Sequence, residues 1–245
     1  MVGSTRADRS SAPAPRIVAR LAEVRAWADS LDRFLPWLSA VEHARFDALR
    51  KPSSRLAYLL AHVLLRLAVA EATGEAPAAL GVATPAGLPP SVPARPGLSL
   101  SLAHTDGLAA VAVAGGTSVG IDVEREGDAA LADEIADAVL TAGERAALES
   151  LPLEQRGPAL TRAWVRKEAV LKAAAVGLTV APNLVETGID AASLTPRAVA
   201  IPASLRLPAF VVADLAAPAG YRGALAWRAI APAPAIDVVR REPGS

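Results

Sequence analysis

The chain has 245 residues, 52% hydrophobic and 20% charged, with no cysteine and a formal net charge of zero. Such a composition belongs to a folded globular chain and excludes disulfides, thiolate metal sites and a cysteine nucleophile. It also argues against a general nucleic-acid binder, which needs a basic surface to meet phosphates.

Residues 1–15, MVGSTRADRSSAPAP, lack an apolar run of signal-peptide length and read as a disordered lead-in, so a cytoplasmic location is expected. Residues 16–50 mix short helical and loop signals, with Ser39 an N-cap before VEHARFDALR. Pro52-Ser53-Ser54 then opens a helix over about 55–73. Its Leu56, Leu59, Leu60, Val63, Leu64 and Leu67 recur at three and four, and Gly74 ends it. The most apolar part, Ala57 to Ala70, is interrupted by His62 and Arg66 and reads as too short to cross a bilayer, so no membrane contact is expected.

A Pro/Gly-rich loop fills 76–97. Strands over 98–104 and 108–114 follow, joined at Thr105-Asp106-Gly107, and a third strand spans 118–124. Residues 128–150 read as helical, as does 158–176. A second hairpin is expected from AFVVADL (209–215) and YRGALAWRA (221–229). A helix followed by a strand hairpin thus occurs twice, at 55–114 and 158–229. The expected fold class is α+β, with two similar halves in one chain, 16–115 and 116–232, related by a pseudo-twofold about a cleft. Residues 233–245 read as a frayed tail.

Four segments carry chemistry. In Gly120-Ile121-Asp122-Val123-Glu124, strand alternation puts Asp122 and Glu124 on one face, where two carboxylates can hold a hard divalent cation; a solvated strand end is the plainer alternative. In WVRKEAVLKA (164–173), helical spacing puts Trp164, Glu168 and Lys172 on one stripe with Lys167 on its flank. Only three of the 25 basic residues are lysines, and two of them fall here, which suggests a chemical need for ammonium groups over a simple surface pair. His104 closes an apolar strand just before a turn. Arg45, Arg50, Lys51 and Arg55 cluster around a helix start, as a phosphate site or as solvated surface charge.

In this order the segments resemble the 4′-phosphopantetheinyl transferases of the surfactin-synthetase-activating type. The resemblance rests on SLAHTDG (101–107), GIDVE (120–124), LTAGERAAL (140–148), WVRKEAVLKA (164–173) and the Gly177-Leu178 after it. It implies Mg²⁺-dependent transfer of the phosphopantetheine arm of coenzyme A to a serine of an acyl or peptidyl carrier protein, by a monomer. By that resemblance Asp122, Glu124 and Glu168 hold Mg²⁺, and Glu168 is also the general base. Lys172 contacts the phosphates and stabilises the leaving group. Arg45, Arg55, His104 and Lys167 complete the coenzyme A site, which lies between the halves. Two departures bear on that site: Ala103 stands where the family usually has Ser or Thr, and Gly87-Leu88-Pro89 lacks the family's cation. The rival expectations are a non-catalytic relative that binds coenzyme A or a carrier, and a magnesium-dependent pyrophosphate hydrolase.

Overall fold

Eight strands and six α-helices alternate along residues 15–244, the part of the chain that the computed structural model describes. The expected disordered lead-in falls almost wholly outside these residues. The first sheet has the order β2-β3-β1-β8, from β1 (Arg16–Glu23), β2 (Leu98–Thr105), β3 (Leu108–Gly115) and β8 (Ala235–Arg240). The second has the order β4-β7-β6-β5, from β4 (Val119–Arg125), β5 (Arg197–Ala198), β6 (Phe210–Asp214) and β7 (Tyr221–Arg228). Between β1 and β2 lie α1 (Val24–Trp27), α2 (Ala40–Ala48) and α3 (Pro52–Thr73). Between β4 and β5 lie α4 (Ala129–Val139), α5 (Ala142–Glu149) and α6 (Leu153–Ala173).

Local sequence sets many of the boundaries. Ser39 and Glu42 form a reciprocal capping box at the start of α2, and Thr141 and Glu144 do the same for α5. That second cap splits the helical stretch expected as one piece over 128–150. Pro52 sits at the first turn of α3, where its missing N–H costs nothing, and Gly74 ends the helix at φ +76°.

Each sheet is backed by one long helix. Tyr58 to Val69 of α3 pack on β1, β2 and β3, while Val165, Ala169 and Val170 of α6 pack on Phe210, Val212, Ala224 and Ala226. Between the sheets, Ile17, Ala19, Ala110 and Ala112 meet Val119, Ile121, Val123 and Leu225. The alternation read in GIDVE is therefore real: its apolar residues enter the inter-sheet core and its carboxylates face the other way.

Helix α3 is 22 residues long and apolar enough to cross a bilayer, longer than its sequence suggested, but about two thirds of that apolar stretch is buried inside the protein. Here the hydrophobic run serves a core helix.

Two strands depart from expectation. Residues 16–23 form β1, a central strand whose Arg20 is buried and clasped by Glu71 and Asp237. Residues 235–240, expected to fray, form β8 and run parallel to β1, with Ile17 opposite Ile236. Both assignments depend on partners distant in sequence, β3 and β8 for β1 and β1 for β8, which local pattern does not reveal.

Candidate active site

Strands β2 and β4 are edge strands of different sheets, and they meet side by side. Ser99 and Ser101 join them: their hydroxyls accept hydrogen bonds from the backbone N–H groups of Val119 and Ile121, each at 3.0 Å. The Ser-x-Ser pattern thus gives unpaired strand edges a partner.

Gly120 brings α6 onto β4. A Cβ at this position would overlap the Ala169 carbonyl oxygen and the Ala173 nitrogen, both backbone atoms that cannot swing away. The close approach lets Lys172 Nζ donate to Asp122 Oδ1 at 2.6 Å and to the Ile121 carbonyl at 3.2 Å. Gly120→Ala is expected to destabilise the protein by about 2 kcal/mol or more in denaturant unfolding. The control Gly115→Ala, where a Cβ meets open space, should change stability by less than about 0.5 kcal/mol.

A cleft of about 340 Å³ opens along this junction. One wall carries Arg45, Tyr58, His62, Ser101 and His104, and the other carries Glu168, Lys172, Ala175, Gly177 and Leu178. The segment from Thr84 to Pro90 closes one end. Of the expected site residues, Arg45, His104, Glu168 and Lys172 line the cleft directly, while Asp122 reaches it through its ion pair with Lys172. Glu124 is half-buried beside Asp122 on the same strand.

Burial raises the carboxyl pKa of Asp122, against the opposing charge of Lys172. It raises those of Glu124 and Glu168 as well, with further upward pressure from the Asp122 charge. The charge of Asp122 thus bears on both Glu124 and Glu168, which resist full ionisation without a cation. Asp122 Oδ2 and Glu168 Oε1 are buried with no hydrogen-bond partner among the described residues. Two orphaned carboxylate oxygens facing a site with hard oxygen donors fit a divalent ion. As the side chains stand, no group of three or more His, Asp or Glu residues among the described residues converges closely enough to hold a metal. Lys172 takes up one Asp122 oxygen.

His104 lies edge-on to Tyr58 at 6.0 Å, and Tyr58 stacks on His62 at 4.0 Å. Behind them Glu42 binds Arg66 at 2.7 Å and accepts a hydrogen bond from Thr84 at 3.2 Å, a buried polar network supporting the wall. Burial, then the nearby His62 and Lys172, bring the His104 imidazole down to about 4, against the pull of Asp106. A lowered folded-state pKa means that protons favour the unfolded chain. Stability should therefore fall as the pH drops from 6.5 towards 4, and His104→Asn should remove that part of the loss. The pH dependence of thermal unfolding checks this.

Other expected residues are placed differently. Lys167 is fully buried away from the cleft, where it donates to Glu144 at 2.5 Å and to the carbonyls of Val185 and Pro182 at 2.6 and 3.2 Å. All three of its protons are engaged, so the expected contact with coenzyme A gives way to a structural role. Arg55 is absent from the cleft lining; its guanidinium stacks 4.4 Å above Phe46 and approaches Asp47. Ala103 points into the inter-sheet core, so the hydroxyl it lacks would not face the cleft. Leu88 does line the cleft and is 66% exposed. Tyr58 and His62 escaped the sequence reading because they sit inside an apolar helical pattern, and only the interruption by His62 marked the place.

The comparisons with known proteins bear on one wall of the cleft. Residues 118–209 match the family model of the 4′-phosphopantetheinyl transferase superfamily. The matched segment covers under half of the chain and runs from the start of β4 through α6 to the residue before β6. It contains Asp122, Glu124, Glu168 and Lys172. Arg45 and His104, on the facing wall, lie outside it. No curated protein matches the chain. Transfer of phosphopantetheine, in general terms, is the activity that the superfamily match supports.

Proposed function

We propose that the protein transfers the 4′-phosphopantetheine arm of coenzyme A to a serine hydroxyl of an acyl or peptidyl carrier protein, releasing adenosine 3′,5′-bisphosphate. The observation that carries this reading is the meeting of Asp122, Glu168 and Lys172 at one wall of the cleft, inside the segment that matches the transferase superfamily.

Asp122, Glu124 and Glu168 are the residues that would hold Mg²⁺, which when bound supplies positive charge to the pyrophosphate. Lys172 turns from Asp122 to the phosphate oxygens and stabilises charge on the departing bisphosphate. Arg45 and His104 bind phosphate groups from the facing wall. Glu168 takes the serine proton as the serine oxygen bonds to the β-phosphorus. The bridging P–O bond breaks, and its electron pair leaves with the bisphosphate. The burial that raises Glu168 also makes its carboxylate a stronger base. The two helix-backed sheets are read as related halves of a cytoplasmic monomer.

Intact mass of an apo carrier protein, after incubation with this protein, coenzyme A and Mg²⁺, tests the reading. A gain of one phosphopantetheine arm, abolished by EDTA, is the expected result. Coenzyme A binding with no gain on fatty-acid, polyketide and peptide carriers would replace it with a relative that binds without transfer. Cleavage of coenzyme A with carrier omitted would replace it with a hydrolase.

A further inference from the structure

A larger cavity, about 660 Å³, lies apart from the cleft between α5, α6 and residues 186–191, and none of the carboxylates discussed above as ion ligands lines it. A second cavity of about 230 Å³ adjoins it. Arg162 of α6 and Arg222 of β7 line both.

The two guanidiniums are engaged in an uneven way. Arg162 Nη1 donates to the carbonyls of Ile189 and Asp190 at 3.1 and 3.0 Å, which fixes the plane of the group and uses up that nitrogen. Its Nε is buried with no partner. Among the described residues, the side edge formed by Nε and Nη2, which can meet an oxyanion with two parallel hydrogen bonds, thus lacks an acceptor, although its Nε is closed to solvent as the side chains stand. Arg222 is paired through Nη2 with Glu126 at 2.6 Å, and its Nε is likewise buried and without a partner among the described residues.

Neighbouring acids offset the Arg162 charge only in part. Asp214 is held by Arg166, and Asp190 by Arg166 and Arg197. Glu144 is held by Lys167, while Glu154 and Glu186 are exposed at the cavity rim, where water screens them. Burial and the nearby Arg166 and Arg222 cations pull Arg162 below the usual guanidinium range, against the weaker opposing pull of Asp214 and Asp190.

We infer that Arg162 and Arg222 form an anion-binding site, separate from the cleft, that takes the carboxylate or phosphate group of a small molecule, with the unpartnered Nε–Nη2 edge of Arg162 as the primary contact. The inference does not rest on the transferase reading.

The test follows the arginine Nε–Hε resonances of the full chain by NMR during titration with inorganic phosphate and, separately, sodium acetate. Chloride holds the ionic strength constant, and both titrations are repeated with saturating coenzyme A. The expected result is a saturable shift of the Arg162 and Arg222 signals by at least one anion, unchanged by coenzyme A. Which anion saturates identifies the ligand chemistry. Arg162→Gln should abolish the shift at Arg222. Arg162→Lys, which keeps the charge but loses the fork, should weaken binding about tenfold. An unchanged backbone spectrum in either variant confirms that the fold is intact. Shifts that rise without saturation, that persist in Arg162→Gln, or that disappear when coenzyme A is bound would overturn the inference.

Discussion

Glu168→Gln is expected to lower transfer to a carrier protein by about 10²–10⁴-fold while coenzyme A binding survives within a few-fold. The substitution preserves the size of the side chain and removes only its ability to accept a proton and carry charge. Glu168 is half-buried, and one of its carboxylate oxygens has no partner, so no structural bond is lost. Its carboxyl is already raised by burial and by Asp122, so the neutral amide should relieve repulsion and leave the fold at least as stable. Steady-state rates with saturating coenzyme A, together with calorimetric binding, separate the two effects. Near-normal turnover would remove Glu168 from the base role.

Lys167→Met should have the largest effect on stability, a loss of about 3–5 kcal/mol, because it leaves a buried carboxylate without its cation. For a chain of this size that corresponds to a fall in Tm of about 6–20 °C. Glu144 also accepts hydrogen bonds from the backbone N–H groups of Thr187 and Gly188, both at 2.8 Å, so the pair ties α5, α6 and the segment after α6 together. Burial alone would raise the Glu144 carboxyl, but Lys167 and the Thr141 and Thr187 amides outweigh it and hold the group below its ordinary 4.5. The stabilisation is therefore present above about pH 4.5 and lost as the pH falls through the lower folded-state value. The gap between the variant and the parent should narrow in acid, which unfolding curves at pH 7 and pH 4 measure. The variant should bind coenzyme A normally once folded; a loss of affinity would return Lys167 to the ligand site.

The two lysines of WVRKEAVLKA show how far sequence reasoning reaches. Their scarcity elsewhere drew attention to both, and in the fold Lys167 is buried while Lys172 is ion-paired with Asp122. Helical spacing then placed Lys172 beside Glu168, since both depend on a local period of 3.6 residues. It did not separate Lys167 from the cleft. The role of Lys167 is set by Glu144 and by carbonyls at 182 and 185, which only the tertiary fold brings to it. The same division holds for the carboxylates. Alternation along β4 assigned Asp122 and Glu124 to one face, but the grip of Lys172 on Asp122 depends on how closely α6 packs over Gly120.

In the fold, the long helices and the hairpin around Asp106 were clear from period and turn chemistry. Strand β1 was not, because an arginine in the middle of RIVARLAE argues against burial until Glu71 and Asp237 are seen to receive it. Arg55 looked like a phosphate ligand because basic residues cluster in sequence there, yet its planar group finds an aromatic face in Phe46.

The pairing of β8 with β1 has a consequence for how the chain is made. The first sheet is completed by residues 235–240, so it stays unfinished until that segment has left the ribosome. Until then the outer edge of β1 is open and Arg20 lacks one of its two carboxylate partners. Nascent chains stalled short of residue 235 would thus present an unpaired strand edge to their neighbours, an aggregation hazard that lasts until β8 takes its place.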